Sequence, residues 1–332
     1  MTHALPSSLQ LDEPRTYLTL GGTETYLHFL QGFPLDNMCG FRVLEDDTHY
    51  ALLEERYLRP IADAAAAAGH GILFDALVWR ASADHLATVG SSAREVARLN
   101  RLGVRRARQT IADWRARSGV SAEQCPACVA GDLGPRGDGY ARDAGGLTER
   151  AACDYHRAQL EALAAAEVDV VMAMTIPSVV EAIGVARAAQ EVGLPLVLSP
   201  TIETDGCLPD GTPLGECIAR VDAATSGAPA FYMVNCAHPR HLRPTLEAAA
   251  ERGEPWLARW RGFRANASAQ SHAELDESPT LDRGDPEALA RDLADMAARF
   301  DLKVVGGCCG TDAEHLVAIA RHTACGHDRA PQ

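Results

Sequence analysis

Short apolar runs rich in valine, leucine and isoleucine alternate along this chain with longer stretches where alanine and leucine recur every three to four residues among arginine and glutamate. The first pattern suits strands buried on both faces, the second amphipathic helices. Strands are predicted at Tyr17–Leu20, Ile72–Val78, Ala127–Asp132, Val168–Ala173, Pro195–Ser199, Phe231–Asn235, Gly262–Ala267 and Lys303–Val305. Helices are predicted at Glu54–Ala68, Ser91–Arg117, Thr148–Ala166, Ser178–Val192, Pro213–Ala223, Arg240–Arg252, Pro286–Phe300 and Asp312–Arg321. Strict alternation implies right-handed crossovers and a parallel sheet. Eight strand–helix units in this length fit a closed (β/α)₈ TIM barrel, an α/β fold, better than an open doubly wound sheet. The Gly21-Gly22 turn lacks the third glycine of a dinucleotide fingerprint. No linker divides the 332 residues, so one domain is expected, with its core from about residue 17 to 322 and Ala269–Arg283 as a long polar loop.

Composition narrows the partners. The chain carries 45 acids against 31 bases, a net charge of −14, with no basic cluster interleaved with aromatics. Nucleic acid and anionic membranes are therefore poor partners. Runs such as Val168 to Ile176 are too short for a membrane span, and the first residues lack a signal-peptide pattern. A cytoplasmic protein is expected. The pattern leaves the oligomeric state open, a homo-oligomer included.

Ten cysteines are many for such a chain. In a barrel, reactive groups gather at the C-terminal ends of the strands. Cys236 ends the sixth strand, and the adjacent Cys308 and Cys309 follow the eighth after Gly306-Gly307. Neighbouring cysteines rarely bridge each other, because a disulfide prefers Cα atoms roughly 5.5 Å apart. The sixth and eighth strands flank the seventh, so three sulfurs can converge. Three thiolates with one position open suit a catalytic Zn²⁺. Such an electron-rich centre is a poor activator of water and a good carrier for a substrate thiol that must stay nucleophilic. Cys125-Pro-Ala-Cys128 has a redox or half-zinc spacing, but at the start of the third strand it faces the stabilising end of the barrel. Arg80, near Asp75 after the second strand, is expected to anchor its loop through an ion pair. His238 is expected to neighbour the metal site or to cap the turn at Pro239.

Several motifs together resemble the homocysteine S-methyltransferases, the group that includes the betaine- and S-methylmethionine-dependent enzymes. They are Gly21-Gly22-Thr23, Gly131-Asp132-Leu133-Gly134-Pro135, Thr175-Ile176-Pro177, Asp205-Gly206, Val234-Asn235-Cys236 and Gly306-Gly307-Cys308-Cys309-Gly310. The resemblance implies the same barrel, Zn²⁺ on Cys236, Cys308 and Cys309, and methyl transfer from a donor to homocysteine. It implies that amides around Gly21, Gly22 and Thr23 receive the amino-acid carboxylate, and that Asn235 and Asn266 lie against the substrate, as does Thr175.

Two positions depart from the family. Acids that hold the homocysteine ammonium are expected just before Gly21 and before Thr175, where this chain has Leu20 and Met174. The second strand, commonly threonine-rich at its end, here reads Ala76-Leu77-Val78. An apolar receptor in place of the acids is therefore expected, with Glu24 the one nearby acid that could compensate. Homocysteine is the acceptor the resemblance implies; a less polar thiol, or demethylation of a thioether, follows if the receptor is apolar. A zinc-binding barrel without catalysis is the reading from another class.

Overall fold

Eight parallel strands close into a barrel in sequence order: β1 (Tyr17–Thr19), β2 (Gly71–Asp75), β3 (Ala127–Leu133), β4 (Val170–Ile176), β5 (Leu196–Pro200), β6 (Phe231–Ala237), β7 (Trp260–Ala265) and β8 (Val304–Gly307), with β8 pairing back to β1. This is the (β/α)₈ arrangement predicted by the alternation, and the open sheet is excluded. The computed structural model describes residues 4–140, 146–276, 278 and 280–324. Cys325 lies outside the described residues, as does part of the polar loop before Arg283.

Most strands are predominantly apolar because both of their faces are covered. Inside the barrel pack Tyr17, Leu73, Cys128, Met172, Val197, Phe231, Met233 and Val304. Outside, Leu18, Leu20, Ile72, Val171, Leu198 and Val305 meet the ring of helices. The helices start where short polar side chains satisfy free amides. Thr148 caps Glu149–Ala165, Ser178 caps Val179–Val192 and Asp285 caps Pro286–Phe300. Asp312 closes a capping box with His315 at the start of Ala313–Thr323. That last helix is the one expected to follow the cysteine pair.

The two ends of the barrel differ in how they are closed. At the N-terminal end the leading segment folds beneath it, with Leu9 buried and the Gln10 amide donating to the Tyr17 hydroxyl at 3.0 Å. At the C-terminal end the β1–β2 connection builds one side of the mouth from short turns, including single π turns at Tyr26–Leu30 and Glu54–Leu58. The sequence pattern predicts a helix only from Glu54. The structure starts it earlier, at Asp47–Leu53, because Asp46 caps that turn by accepting the His49 amide at 3.0 Å. None of the described helices is long and apolar enough to cross a membrane.

Candidate metal centre and substrate pocket

The three sulfurs are brought together by backbone rather than by chance contact. Cys236 sits at φ +57°, in the left-handed region that a cysteine rarely adopts, where the β6–β7 register slips between Asn235 and Ala237. The kink turns its side chain into the mouth. Across the barrel, β8 approaches β1 so closely that a Cβ on Gly22 would lie 2.4 Å from the Cys308 carbonyl oxygen, and one on Gly306 would strike the Thr19 hydroxyl. Both glycines are therefore demanded by the approach that delivers the cysteine pair. The Cys308 amide donates to the Ala265 carbonyl at 2.8 Å, the Ala267 amide to the Cys309 carbonyl at 3.0 Å, and Thr311 Oγ1 to the Cys308 carbonyl at 2.7 Å.

Cys236 Sγ lies 3.0 Å from Cys308 Sγ and 3.4 Å from Cys309 Sγ, and all three sulfurs fall within 4.8 Å of one another. Two thiolates on a tetrahedral zinc at ~2.3 Å stand ~3.8 Å apart, so the triad fits the ion after opening by less than ~1 Å. Hydrogen bonds from Cys236 and Cys309 hold the Cys308 thiol well below its ordinary value, with Arg264 nearby adding to the effect against burial. The bond to Cys308 pushes Cys236 up against its bond to Cys309, and bonds to Cys236 and Cys308 push Cys309 up, with burial adding to both. Three soft sulfur donors within reach of one another match what a thiophilic ion requires.

Asn235 braces this corner. Its Oδ1 accepts from the Thr175 amide at 2.7 Å and from Ser199 Oγ at 2.8 Å, while its Nδ2 donates to Thr175 Oγ1 at 2.8 Å and reaches Cys308 Sγ at 3.7 Å. Thr175 is itself at φ +60°, in a register slip of β4. One carboxamide thus holds a second kinked strand end and touches a candidate ligand. Tyr140, from the loop after β3, donates its hydroxyl to Cys236 Sγ at 2.9 Å and stacks at 4.0 Å on the His272 ring. His272 Nε2 contacts the Cys236 carbonyl at 2.6 Å. Neither aromatic was singled out from the sequence; a tyrosine in a Gly-rich loop after a strand end is the only signal that could have found one.

Beside the sulfurs opens a cavity of about 410 Å³. Its wall adds buried charged groups to the apolar lining expected from Met174. Leu20 belongs to the outer core and is fully buried, its carbonyl accepting from the Gly307 amide. Met174 does line the cavity, but its sulfur faces Arg264 Nη1 at 3.1 Å. Arg264, buried at the end of β7, pairs with buried Asp75 at the end of β2, Nη2 to Oδ2 at 2.8 Å, and also donates to the Gly307 and Gly21 carbonyls. Asp132 and Glu24 line the same cavity. Burial raises all three carboxyl groups; Asp75 further raises Asp132, and Glu24 is pushed up to about 7 with Cys308 and Asp75 adding to burial. Despite its burial, Arg264 is held above its ordinary value by Asp75 and Cys308. The wall carries more acidic than basic side chains.

Other expected residues fall as follows. Gly21, Gly22 and Thr23 line the cavity, but their amides already donate, to the Tyr57 hydroxyl at 2.9 Å, to Thr311 and to the Gly21 carbonyl. They are not free donors for a carboxylate. Glu24 faces the cavity, and Asn266 sits at its edge, buried, with Oδ1 meeting no donor among the described residues. Arg80 anchors its loop through the Asn37 carbonyl at 2.7 Å and the face of Trp79 rather than through an ion pair. His238 caps the helix Pro239–Glu251, its Nδ1 accepting from the Arg240 amide. Cys125 and Cys128 are buried at the far end of the barrel, away from the cavity.

A closed parallel barrel carries at its mouth a three-cysteine cluster that could hold a thiophilic metal. Comparison makes the class specific: residues 21–323 match the homocysteine S-methyltransferase family, and the chain belongs to it. A mouse S-methylmethionine–homocysteine S-methyltransferase is 29% identical over 57% of this chain and 56% of its own length. The Bacillus subtilis homocysteine S-methyltransferase YbgG is 25% identical over 58% of this chain and 60% of its own. The chain thus spans little more than half the length of these relatives. The metallated Escherichia coli homocysteine methyltransferase MmuM shares the fold with a TM-score of 0.69 over 93% of this chain and 96% of that one, at 20% identity.

Proposed function

We propose that this protein is a Zn²⁺-dependent methyltransferase that places a methyl group on the sulfur of homocysteine to form methionine. The observation that carries the proposal is the convergence of Cys236, Cys308 and Cys309 in the wall of a cavity large enough for a small thiol and part of a donor. Bound by these cysteines, Zn²⁺ would lower the pKa of an incoming thiol, while the three thiolates keep that sulfur nucleophilic. The chain's own residues do the rest. Asn235 and the kinked backbone at Cys236 fix the ligand directions, and the glycines of β8 and β1 permit the close approach. His28, Phe29, Trp79 and Tyr140 line the mouth of the cavity around the sulfurs.

In the transfer, the acceptor sulfur bonds to the methyl carbon as the donor's C–S or C–N bond breaks. The bonding pair leaves with the donor as a neutral thioether or amine, and the thiol proton passes to solvent. Membership of the family supports homocysteine as acceptor. The acidic wall supports an amino-acid thiol over the less polar one suggested by Leu20 and Met174. A cavity open beside the sulfurs supports catalysis over a purely structural zinc. A cytoplasmic location is part of the same reading, supported by nine described cysteines that are all free.

The test is direct. Purified protein is assayed for zinc and for methionine formation from homocysteine with S-methylmethionine, S-adenosylmethionine and betaine in turn. About one zinc per chain and turnover with at least one donor are expected. Absence of turnover with all three, at full zinc content, would overturn the assignment.

A further inference from the structure

The deep wall of the cavity leaves two acceptors without donors. Asp75 and Asp132 are 3% and 2% exposed, and both line the cavity. Each uses one carboxyl oxygen: Asp75 Oδ2 takes Arg264 Nη2 at 2.8 Å, and Asp132 Oδ2 takes the Leu77 amide at 2.9 Å. Asp75 Oδ1 and Asp132 Oδ1 are buried and meet no donor among the described residues. A buried acceptor left unmatched costs ~1–3 kcal/mol, so two side by side ask for a ligand.

The two carboxyl groups are neighbours. Asp75 pairs with Ala130 across β2 and β3, and Asp132 stands two residues further along the same face of β3. Its bond to the Leu77 amide draws its side chain towards the end of β2. Leu77 adopts φ +59°, the left-handed conformation that presents this amide. Glu24 completes a set of three carboxyl groups around one guanidinium. The other arginine at the mouth, Arg80, is engaged with Asn37 and Trp79. An anionic ligand group would meet surplus acid here. A cationic N–H donor would complete both orphan oxygens and balance the charge.

We propose that Asp75 Oδ1 and Asp132 Oδ1 form the receptor for a primary ammonium on the ligand of this cavity, which makes the acceptor an α-amino thiol. The inference rests on the proposed methyl transfer for the identity of the reacting sulfur, but not for the presence of the ammonium site. It relocates that site from the ends of β1 and β4, where Leu20 and Met174 stand, to the ends of β2 and β3.

Binding tests this without turnover. L-Methionine and 4-(methylsulfanyl)butanoate, which differ only in the amino group, are titrated into the full-length zinc-loaded protein by calorimetry. Methionine is expected to bind at least tenfold more tightly. Asp132→Asn keeps an acceptor for the Leu77 amide while removing the charge, and is expected to reduce that preference at least tenfold with its melting temperature within a few degrees of wild type. If that variant does not fold, Glu24→Gln carries the same expectation in direction with a smaller loss. The proposal is overturned if the wild type binds methionine no better than the des-amino acid, or if the folded variant keeps the full preference. Methyl transfer to homocysteine against 4-sulfanylbutanoate is measured in parallel. Turnover without amino-group preference sinks this inference alone, whereas preference in binding without turnover sinks only the methyltransferase assignment.

Discussion

Two groups of cysteines lie at opposite ends of one barrel and follow opposite physics. At the mouth, Cys236, Cys308 and Cys309 stand within 4.8 Å of one another beside a charged cavity, and one thiol is held well below its ordinary value. At the floor, Cys125 and Cys128 are fully buried, and burial raises their thiols to about 11 and about 12. Cys128 spends its sulfur on Ser8 Oγ at 2.8 Å. The floor pair has the tidier sequence signature, two cysteines separated by two residues, yet it does no visible chemistry. Position on the strand, not spacing along the chain, separates a candidate metal site from packing.

The sharpest way to break the comparison is to remove one sulfur from the mouth. Cys308→Ser should lower methyl transfer to background and bound zinc by at least tenfold, with far-ultraviolet circular dichroism unchanged, because Cys308 is only partly buried. A variant that lost fold stability while turnover survived would mark a structural zinc instead. Next in size is Leu20→Asp, a change that restores an acid beside Gly21. Leu20 is fully buried in the outer core, so an unmatched carboxylate there should cost on the order of 3–5 kcal/mol. A large drop in the urea midpoint with no gain in homocysteine affinity is expected; a gain would show that position 20 can face the cavity. Smaller again, Cys128→Ser should cost ~1–2 kcal/mol by burying a stronger dipole against Ser8. Its zinc content should equal wild type.

What could be read from the sequence follows the same division. The strands were legible because most are buried on both faces and announce themselves as apolar runs; β7, with Arg261 and Arg264, is carried by the strand–helix rhythm around it. The three sulfurs were legible because strand ends in a barrel share one face. The wall of the cavity was not. The pairing of Asp75 with Arg264 joins residues 189 positions apart, and no periodicity records which side chain inside a barrel meets which. The left-handed conformations at Leu77, Thr175 and Cys236 were equally invisible, since none is glycine, asparagine or aspartate; tertiary contacts such as the Asn235 bracket impose them. Substitution at Leu20 and Met174 was read as loss of polarity, when the charge stands on neighbouring strands.

The two ends should also answer pH with opposite signs. Glu24 at the mouth is raised from 4.5 to about 7, chiefly by burial, so between those values the folded protein holds a proton that the unfolded chain has released. Its contribution is present below pH 4.5 and is lost as pH rises through about 7. His70 at the floor is fully buried, with Nε2 at 2.9 Å from Thr323 Oγ1, and burial lowers it from 6.5 to about 4. There the unfolded chain gains the proton first, so stability present above pH 6.5 is lost as pH falls towards 4. One such group contributes a slope of at most about 1.4 kcal/mol per pH unit. Urea denaturation from pH 4 to 8 should therefore show Glu24→Gln flattening the alkaline side of the stability profile and His70→Gln flattening the acid side. If both substitutions flatten the same side, the mouth and the floor do not differ electrostatically in the way their burial and hydrogen bonds require.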